Sequence, residues 1–179
     1  MKKRLKILFI LCILSGGIIV IYFIFHLQTP KNAQEFANRA IENIKNRSYD
    51  EAVDDLTEAI KKKRDDAVLF YNRGVAYMNK GDIDKALTDF TQSIKLNPNH
   101  VFAFNNRARL YLKKNEFDKA ADDYTNMLNL KKDFAPAFYG RGLAYYKKGD
   151  TKRALQDLKK AYELGNKSAK NLITSIEKE

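Results

Sequence analysis

The residue types that most often carry out chemistry are few in this chain of 179 residues, and their spacing does not suit catalysis. Adjacent aspartates occur at 54–55, 65–66 and 122–123. Paired carboxylates act as acid and base only when they face each other, but neighbours on a helix point about 100° apart. His26, His100 and Cys12 are too few for a histidine-based active site or a thiolate metal cluster. The sequence therefore predicts no enzyme activity, no cofactor and no metal site.

Arginine and aspartate each recur four times at an interval of 34 residues. The arginines are Arg39, Arg73, Arg107 and Arg141, and the aspartates are Asp55, Asp89, Asp123 and Asp157. The two sets predict ion pairs, formed either within or between repeats. We interpret them as structural pairs that fix the helix register, because the aspartates would neutralise a row of arginines that bound acidic ligands. An exposed pair of this kind contributes about 0.2–1 kcal/mol.

The same interval divides much of the chain into four blocks that align without gaps: 33–66, 67–100, 101–134 and 135–168. In every block the fourth position is Phe, the eighth is Ala or Gly, and the twentieth is Ala. Steps of three and four residues return to one helical face. Gly81, Asn115 and Gly149 then tolerate the left-handed backbone that ends a helix, whereas Arg47 departs from this rule in the first block. Each block predicts a helix, a short turn and a second helix.

This pattern resembles the tetratricopeptide repeat, as in YNRGVAYMNKGDIDKALTDF and the LNPN that ends the same block. The resemblance covers 33–168 and implies an all-α fold, a right-handed superhelical solenoid of four helix-turn-helix repeats. Such repeats bury their apolar faces only by stacking on one another. The apolar residues of 169–179 predict a C-terminal capping helix that covers the last repeat.

An apolar run from 7 to 27 follows a basic tail, 1–6, and precedes a linker, 28–32. At about 1.5 Å per residue a helix of this length crosses a hydrocarbon core of about 30 Å. We interpret it as an uncleaved transmembrane helix, with a cleaved signal as the alternative. Because basic residues are concentrated before the run, the positive-inside rule predicts a single-pass protein with a cytoplasmic N-terminus and an extracytoplasmic repeat domain.

In proteins that the pattern resembles, the first helices of the repeats line a concave groove. The resemblance implies that the groove here is formed by Tyr71, Val75, Met78, Phe102, Asn105, Arg109, Leu112, Tyr139 and Tyr146. Aromatic side chains and arginine are frequent anchors for peptides. The alternative is that some of these residues pack only on neighbouring helices or on the capping helix. The set of residues with which chaperone-binding relatives hold a terminal carboxylate is absent.

The sequence as a whole favours a membrane-anchored adaptor or scaffold that binds a protein or peptide partner, with a lipid bilayer as the partner of the N-terminal helix. Two alternatives stay open: a structural subunit of an envelope, secretion or import complex, and an accessory component of an enzyme encoded elsewhere. The net charge of +11 includes a basic run at 61–64, which we interpret as a solvated helix end. No nucleic-acid partner is expected, because no stacking platform or reading helix is present.

Overall fold

The computed structural model of the chain describes residues 9–13, 19–23 and 32–178. The chain divides into an N-terminal unit, Met1–Lys31, and a C-terminal unit, Asn32–Glu179. The predicted basic tail and all of the predicted linker except Asn32 lie outside the described residues.

Two short strands occupy the described part of the apolar run. β1 (Phe9–Ile13) pairs antiparallel with β2 (Ile19–Phe23), with Phe9 opposite Phe23 and Ile13 opposite Ile19. Among the residues that the structure describes, no helix has the length and apolar character needed to cross a bilayer. The prediction of a transmembrane helix over 7–27 is therefore wrong, and so are the single-pass location and the orientation that depended on it.

The physical reason for this correction lies in the composition of the run. The two strands are rich in Ile, Val, Phe and Tyr, which favour an extended backbone. The sequence between them includes Gly16 and Gly17, and a glycine pair between two apolar stretches is a hairpin signal. The length and hydropathy of the run, which favour a transmembrane helix, do not reflect these preferences for strand and turn. The lipid bilayer as a partner loses its basis together with the helix.

The described residues from 32 to 178 form nine helices and the turns between them. These are α1 (Ala33–Lys45), α2 (Tyr49–Lys62), α3 (Ala67–Lys80), α4 (Ile83–Leu96), α5 (Val101–Lys113), α6 (Phe117–Leu130), α7 (Ala135–Lys148), α8 (Thr151–Glu163) and α9 (Lys167–Ile176). Consecutive pairs from α1 to α8 form four helical hairpins, and the second helix of each hairpin packs against the first helix of the next. This part of the chain is an all-helical solenoid, and α9 packs on α8 at its end.

The turn inside each hairpin has the same backbone conformation in all four repeats. Gly81 and Gly149 have φ angles of 93° and 89°, and Asn115 has a φ of 59°. Arg47 has a φ of 62°, so it adopts the left-handed conformation although it is neither Gly nor Asn. The first hairpin therefore forms without the preferred turn residue, because packing of its two helices outweighs the cost of about 1–2 kcal/mol for a side chain there.

Small residues bring the two helices of each hairpin close together. The alanine at the twentieth position is completely buried in all four repeats: Ala52, Ala86, Ala120 and Ala154. A larger buried side chain four residues later fills the space beside it: Leu56, Phe90, Tyr124 and Leu158. These residues belong to the apolar clusters that hold each pair of helices together. Burying a large apolar side chain contributes about 1.5–3 kcal/mol, so this repeated core accounts for much of the stability of the hairpins.

The last helix begins at Lys167, before the predicted start at Ala169. Gly165 has a φ of 93° and Asn166 accepts a hydrogen bond from the backbone N–H of Ser168, which starts α9 early. Ala169 and Ile176 are buried on the cluster that includes Leu158, so α9 covers the apolar face of the last hairpin.

Candidate functional site

The first helices of repeats two, three and four present the face on which the predicted groove residues lie. We call this surface the groove; it contains Val68, Tyr71, Val75 and Met78 on α3, Phe102, Asn105, Arg109 and Leu112 on α5, and Tyr139, Leu143 and Tyr146 on α7. Spacings of three and four residues place each set on one side of its helix. Phe102 is 68% exposed and Val68 is 54% exposed, whereas the other large apolar residues of these helices are buried or partly buried.

A cavity of about 380 Å³ lies between α5 and α7. It brings together four of the predicted groove residues: Asn105, Arg109, Leu112 and Tyr139. It is also lined by Pro136, Gly140 and Leu143 of α7, by Tyr124 of α6 and by Asn166 at the start of α9. The structure therefore joins residues of two repeats and of the capping helix in one concave site.

The groove residues of α3 are held by packing more than those of α5. The Tyr71 hydroxyl accepts a hydrogen bond of 3.3 Å from Asn106 Nδ2, and its ring lies 4.7 Å from the ring of His100. Val75 and Met78 pack against the buried cluster that contains Phe90. This part of the groove joins repeats two and three and leaves few polar groups for a ligand.

The two groove tyrosines of α7 also have packing roles. Tyr139 and Tyr146 are partly buried against the cluster formed by α8 and α9. Tyr139 additionally lines the cavity, but Tyr146 does not. The alternative interpretation from sequence, that some groove residues pack on the capping helix, therefore describes part of what is observed for this helix.

Tyr124 reaches the cavity because Gly140 has no side chain. A Cβ atom built on Gly140 would lie 2.3 Å from Cζ of Tyr124, which is too close for any other residue type to fit without movement. The corresponding sixth position is Asn in the other three repeats, Asn38, Asn72 and Asn106. Tyr124, Gly140 and Asn166 are not among the groove residues that the sequence predicts. The sequence does contain a signal for this contact: only repeat four has Gly at the sixth position, and only repeat three has Tyr at the twenty-fourth.

The charges at the cavity are unbalanced. Arg109 is exposed, and it makes no hydrogen bond or ion pair with any other residue that the structure describes from 32 to 178. None of the residues that line the cavity is acidic. Burial raises the pKa of Tyr124 to about 12, although the nearby positive charge of Arg109 acts in the opposite direction, so the phenol stays protonated. The cavity thus combines a free cation with a neutral hydroxyl.

The repeated arginines lie in a different place, between the two helices of each hairpin. Each arginine forms two hydrogen bonds with the aspartate of its own repeat, at 2.8 and 2.9 Å for Arg73 and Asp89 and at 2.9 and 2.7 Å for Arg107 and Asp123. The same contacts join Arg141 to Asp157 and Arg39 to Asp55. We call these four pairs the seam.

The seam also connects neighbouring repeats, through residues that sequence analysis did not identify. Arg73, Arg107 and Arg141 each donate a further hydrogen bond, of 3.0–3.1 Å, to a threonine of the preceding repeat, namely Thr57, Thr91 and Thr125. Each guanidinium group also lies 5.7 Å from the ring of the Phe at the fourth position of its own repeat. In Arg73, Arg107 and Arg141 these contacts use three of the five N–H donors, and the positive charge of each is neutralised by its aspartate.

A second set of ion pairs links successive repeats at the surface. Lys114 contacts Asp84 at 2.7 Å, and Lys80 and Lys148 make the equivalent contacts with Asp50 and Asp118. The fourth repeat lacks both kinds of acceptor. It has Lys152 in place of the aspartate that pairs with lysine, and Lys159 in place of the threonine that accepts from arginine. Lys159 instead contacts Glu177, just beyond α9. The last repeat is therefore adapted to the capping helix and not to a further repeat.

The described residues contain no group of three or more His, Cys, Asp or Glu side chains placed to hold a metal ion. The histidine of repeat two, His100, bonds through Nδ1 to the hydroxyl of the buried Ser93 at 2.8 Å, and burial lowers its pKa. Because the Ser93 hydroxyl donates its proton to the Ala67 carbonyl, the His100 Nδ1 is the donor in this contact. Ser93 and His100 form a structural contact beside Tyr71.

Comparisons with solved structures place the fold among known repeat proteins. The crystal structure of MamA is 25% identical, with a TM-score of 0.74, and the match covers 80% of this chain and 84% of MamA. YrrB, described as a TPR protein with an unusual peptide-binding site, is 22% identical with a TM-score of 0.69, covering 75% and 70% of the two chains. The first TPR of Spaghetti (RPAP3), bound to the HSP90 peptide SRMEEVD, is 24% identical with a TM-score of 0.59, covering 63% and 90%. No curated protein is a significant match in sequence.

Family matches cover the second, third and fourth repeats without a gap. The family described as Tetratricopeptide repeat matches residues 67–100, 90–121 and 135–168, and the family described as TPR repeat matches residues 108–149. Together these matches span 67–168, which is more than half of the chain, and the helical hairpins of the structure have the repeat length that they require. The resemblance noted in the sequence is confirmed, and the chain belongs to the tetratricopeptide repeat family.

Proposed function

We propose that this chain is an adaptor or scaffold that binds a segment of a partner protein, as an extended peptide or a helix, in the groove. The observation that carries this proposal is the exposure of Phe102, which is 68% accessible near the start of α5, the middle one of the three groove helices. Val68, on the adjacent first helix, is exposed to a similar degree. Apolar side chains of this size gain about 1.5–3 kcal/mol when a partner covers them completely.

The surroundings of Phe102 support binding at this surface. Arg109 and Asn105 lie on the same face of α5, and Tyr139 lines the cavity on the opposite side. Aromatic residues and arginine dominate the energetics of protein interfaces, because they combine a large apolar area with hydrogen-bonding groups. The seam arginines differ from Arg109 because each is already paired with a buried aspartate, which neutralises its charge.

The comparisons support the fold on which this proposal depends. YrrB is described as having an unusual peptide-binding site, and the RPAP3 repeat domain is bound to a peptide. At 22% and 24% identity these two proteins share the fold with this chain, and their ligands are not carried over to it. What they contribute is that a helical solenoid of this kind can hold a peptide.

The proposal is tested by selecting peptides from a phage-displayed random library with the full chain. The affinity of an enriched peptide is then measured by fluorescence anisotropy for the wild type and for Phe102→Ala. We expect binding to weaken by about tenfold or more, which corresponds to about 1.4 kcal/mol, because the variant removes the largest exposed apolar surface of the groove.

The matched control is Leu130→Ala. Leu130 is also a large exposed apolar residue, at 41%, but it is the last residue of α6 and lies outside the groove. We expect this variant to bind the selected peptide like the wild type. Equal loss in both variants, or loss in neither, would show that the peptide binds elsewhere and would reject the groove as the binding surface.

A further inference from the structure

Arg109 differs from the arginines of the seam in having no counterion. Each seam arginine forms two hydrogen bonds to a buried aspartate, whereas Arg109 has no hydrogen-bond or ion-pair partner among residues 32–178 of the described structure. The ninth position, which Arg109 occupies in its repeat, is Ile41, Val75 and Leu143 in the other three repeats. The repeat architecture therefore does not require a charge at this position.

The cavity beside Arg109 contains a second unused donor. Tyr124 is only 3% exposed, and its hydroxyl forms no hydrogen bond with another described residue. No fully buried side-chain nitrogen or oxygen of the described residues lacks a partner, so this hydroxyl reaches solvent. Tyr124 and Gly140 both line the cavity, and a Cβ atom on Gly140 would lie 2.3 Å from the Tyr124 Cζ that carries the hydroxyl, so the hydroxyl lies beside the cavity wall. In the other repeats the equivalent residue is Leu56, Phe90 or Leu158, none of which carries a hydroxyl.

The positive charge of Arg109 at the cavity favours a ligand group that is negatively charged. Its lining residues include one cation and no carboxylate, and its walls are the apolar side chains of Leu112, Pro136, Tyr139 and Leu143. A carboxylate that enters the cavity meets the guanidinium group of Arg109, and charge-assisted hydrogen bonds to guanidinium groups are about twice as strong as neutral ones. A lysine or arginine that enters the same cavity meets a like charge.

We propose that the cavity between α5 and α7 binds an aspartate or glutamate side chain of the partner segment, with Arg109 as its ion-pair partner and the Tyr124 hydroxyl as an additional donor. This inference rests on the proposed function of the groove and states the chemistry of its ligand. The apolar residues that flank the acidic residue in the ligand contact Phe102 on one side of Arg109 and Leu112 on the other, since these residues share one face of α5.

The proposal is tested with the same peptide library and the full chain. Peptides selected by the wild type are expected to be enriched in Asp or Glu at one position next to an apolar residue. Peptides selected by Arg109→Glu are expected to carry Lys or Arg at that position, because the variant reverses the charge of the cavity. Arg64→Gln is the matched control, since Arg64 is an exposed arginine in the turn between α2 and α3.

Anisotropy measurements with one selected acidic peptide and its amide counterpart, Asp→Asn or Glu→Gln, separate charge from shape. We expect Arg109→Gln to weaken the acidic peptide by about tenfold, or about 1.4 kcal/mol, and to leave the amide peptide nearly unchanged. Tyr124→Phe is expected to produce a smaller loss with the acidic peptide, because it removes only the hydroxyl. Both losses are expected to decrease as salt is raised.

The outcomes distinguish this inference from the function on which it rests. Enrichment of acidic peptides whose binding depends on Arg109 supports it. Enrichment of peptides without an acidic residue, or acidic peptides that bind Arg109→Gln as well as the wild type, overturns it while the groove remains a peptide-binding surface. If the wild type enriches no peptide at all, both the inference and the proposed function are rejected.

Discussion

The seam and the groove lie on the same helices, but they vary in opposite ways along the chain. At the seam all four repeats have the same Arg and Asp, and these residues satisfy each other. In the groove the ninth position changes from Ile41 to Val75, Arg109 and Leu143. The shared arginines and aspartates are bonded to each other, whereas Arg109, which replaces an apolar residue in one repeat, has no partner among the described residues. This difference separates the structural residues of the solenoid from the candidate binding residues.

The largest expected effect compares two phenylalanines of α5. Phe104 is 6% exposed in the core, whereas Phe102 is exposed in the groove. We expect Phe104→Ala to lower the free energy of unfolding by about 3–5 kcal/mol. Phe102→Ala should change it by no more than about 0.5 kcal/mol, because its ring is already in water. Urea denaturation followed by circular dichroism measures both values, and similar losses would contradict the division into core and groove.

A second comparison tests whether the seam is stronger inside the solenoid than at its N-terminal end. The Arg107 side chain is 15% exposed, whereas that of Arg39 is 43% exposed. Asp123→Ala leaves a mostly buried cation without its partner and should cost about 3 kcal/mol. Asp55→Ala should cost roughly 1 kcal/mol, because water can reach Arg39.

Asp122→Ala is the control for this pair of variants, since Asp122 is adjacent to Asp123 but exposed. We expect this variant to unfold at nearly the same urea concentration as the wild type. Equal losses for Asp123→Ala and Asp55→Ala would mean that burial does not set the strength of the seam.

A third prediction concerns the contact between Gly140 and Tyr124, where a core residue borders the cavity of the groove. Gly140→Ala places a methyl group against the Tyr124 ring and should destabilise the protein by about 1–3 kcal/mol. Tyr124→Leu, which introduces the residue of repeats one and four, removes the clashing ring atoms. The double variant is therefore expected to recover part of the stability lost in Gly140→Ala. If thermal unfolding shows simple additivity, the proposed contact between these two residues is wrong.

The smallest expected effect is a dependence of the free energy of unfolding on pH, which arises from His100 beside the groove residue Tyr71. Burial lowers the pKa of the neighbouring His100 below its ordinary value of 6.5, so the folded protein binds this proton less readily than the unfolded chain does. The contribution of neutral His100 to the free energy of unfolding is therefore fully present above pH 6.5. It is lost as the pH falls through the lower pKa that His100 has in the folded state. We expect the free energy of unfolding to decrease between about pH 7 and pH 5.

The variant His100→Asn tests the origin of that decrease, because Asn does not titrate in this range. Its unfolding free energy should change less over the same pH interval than that of the wild type. An identical slope in both proteins would assign the pH dependence to the carboxylates and not to His100.

Most of the solenoid follows from local sequence signals that recur. The spacing of Phe, small residues and Ala predicts the helical hairpins, since each signal acts within one repeat and is present four times. Arg47 shows the limit of this approach, because its left-handed backbone follows from packing of the first hairpin and not from residue preference. The apolar run at 7–27 was a single signal without repetition, and hydropathy alone led to the wrong element.

The sequence by itself determined the number of repeats, their helical hairpins and the recurrence of one arginine and one aspartate in every repeat, because these signals are all read within single repeats. Only the tertiary structure decided which charges are satisfied. It showed that the seam arginines also bond to threonines of the preceding repeat, and that Tyr124 reaches the cavity over Gly140. Contacts between repeats join residues that are distant in sequence, so whether Arg109 has a partner depends on the stacking of helices and not on its neighbours in the chain.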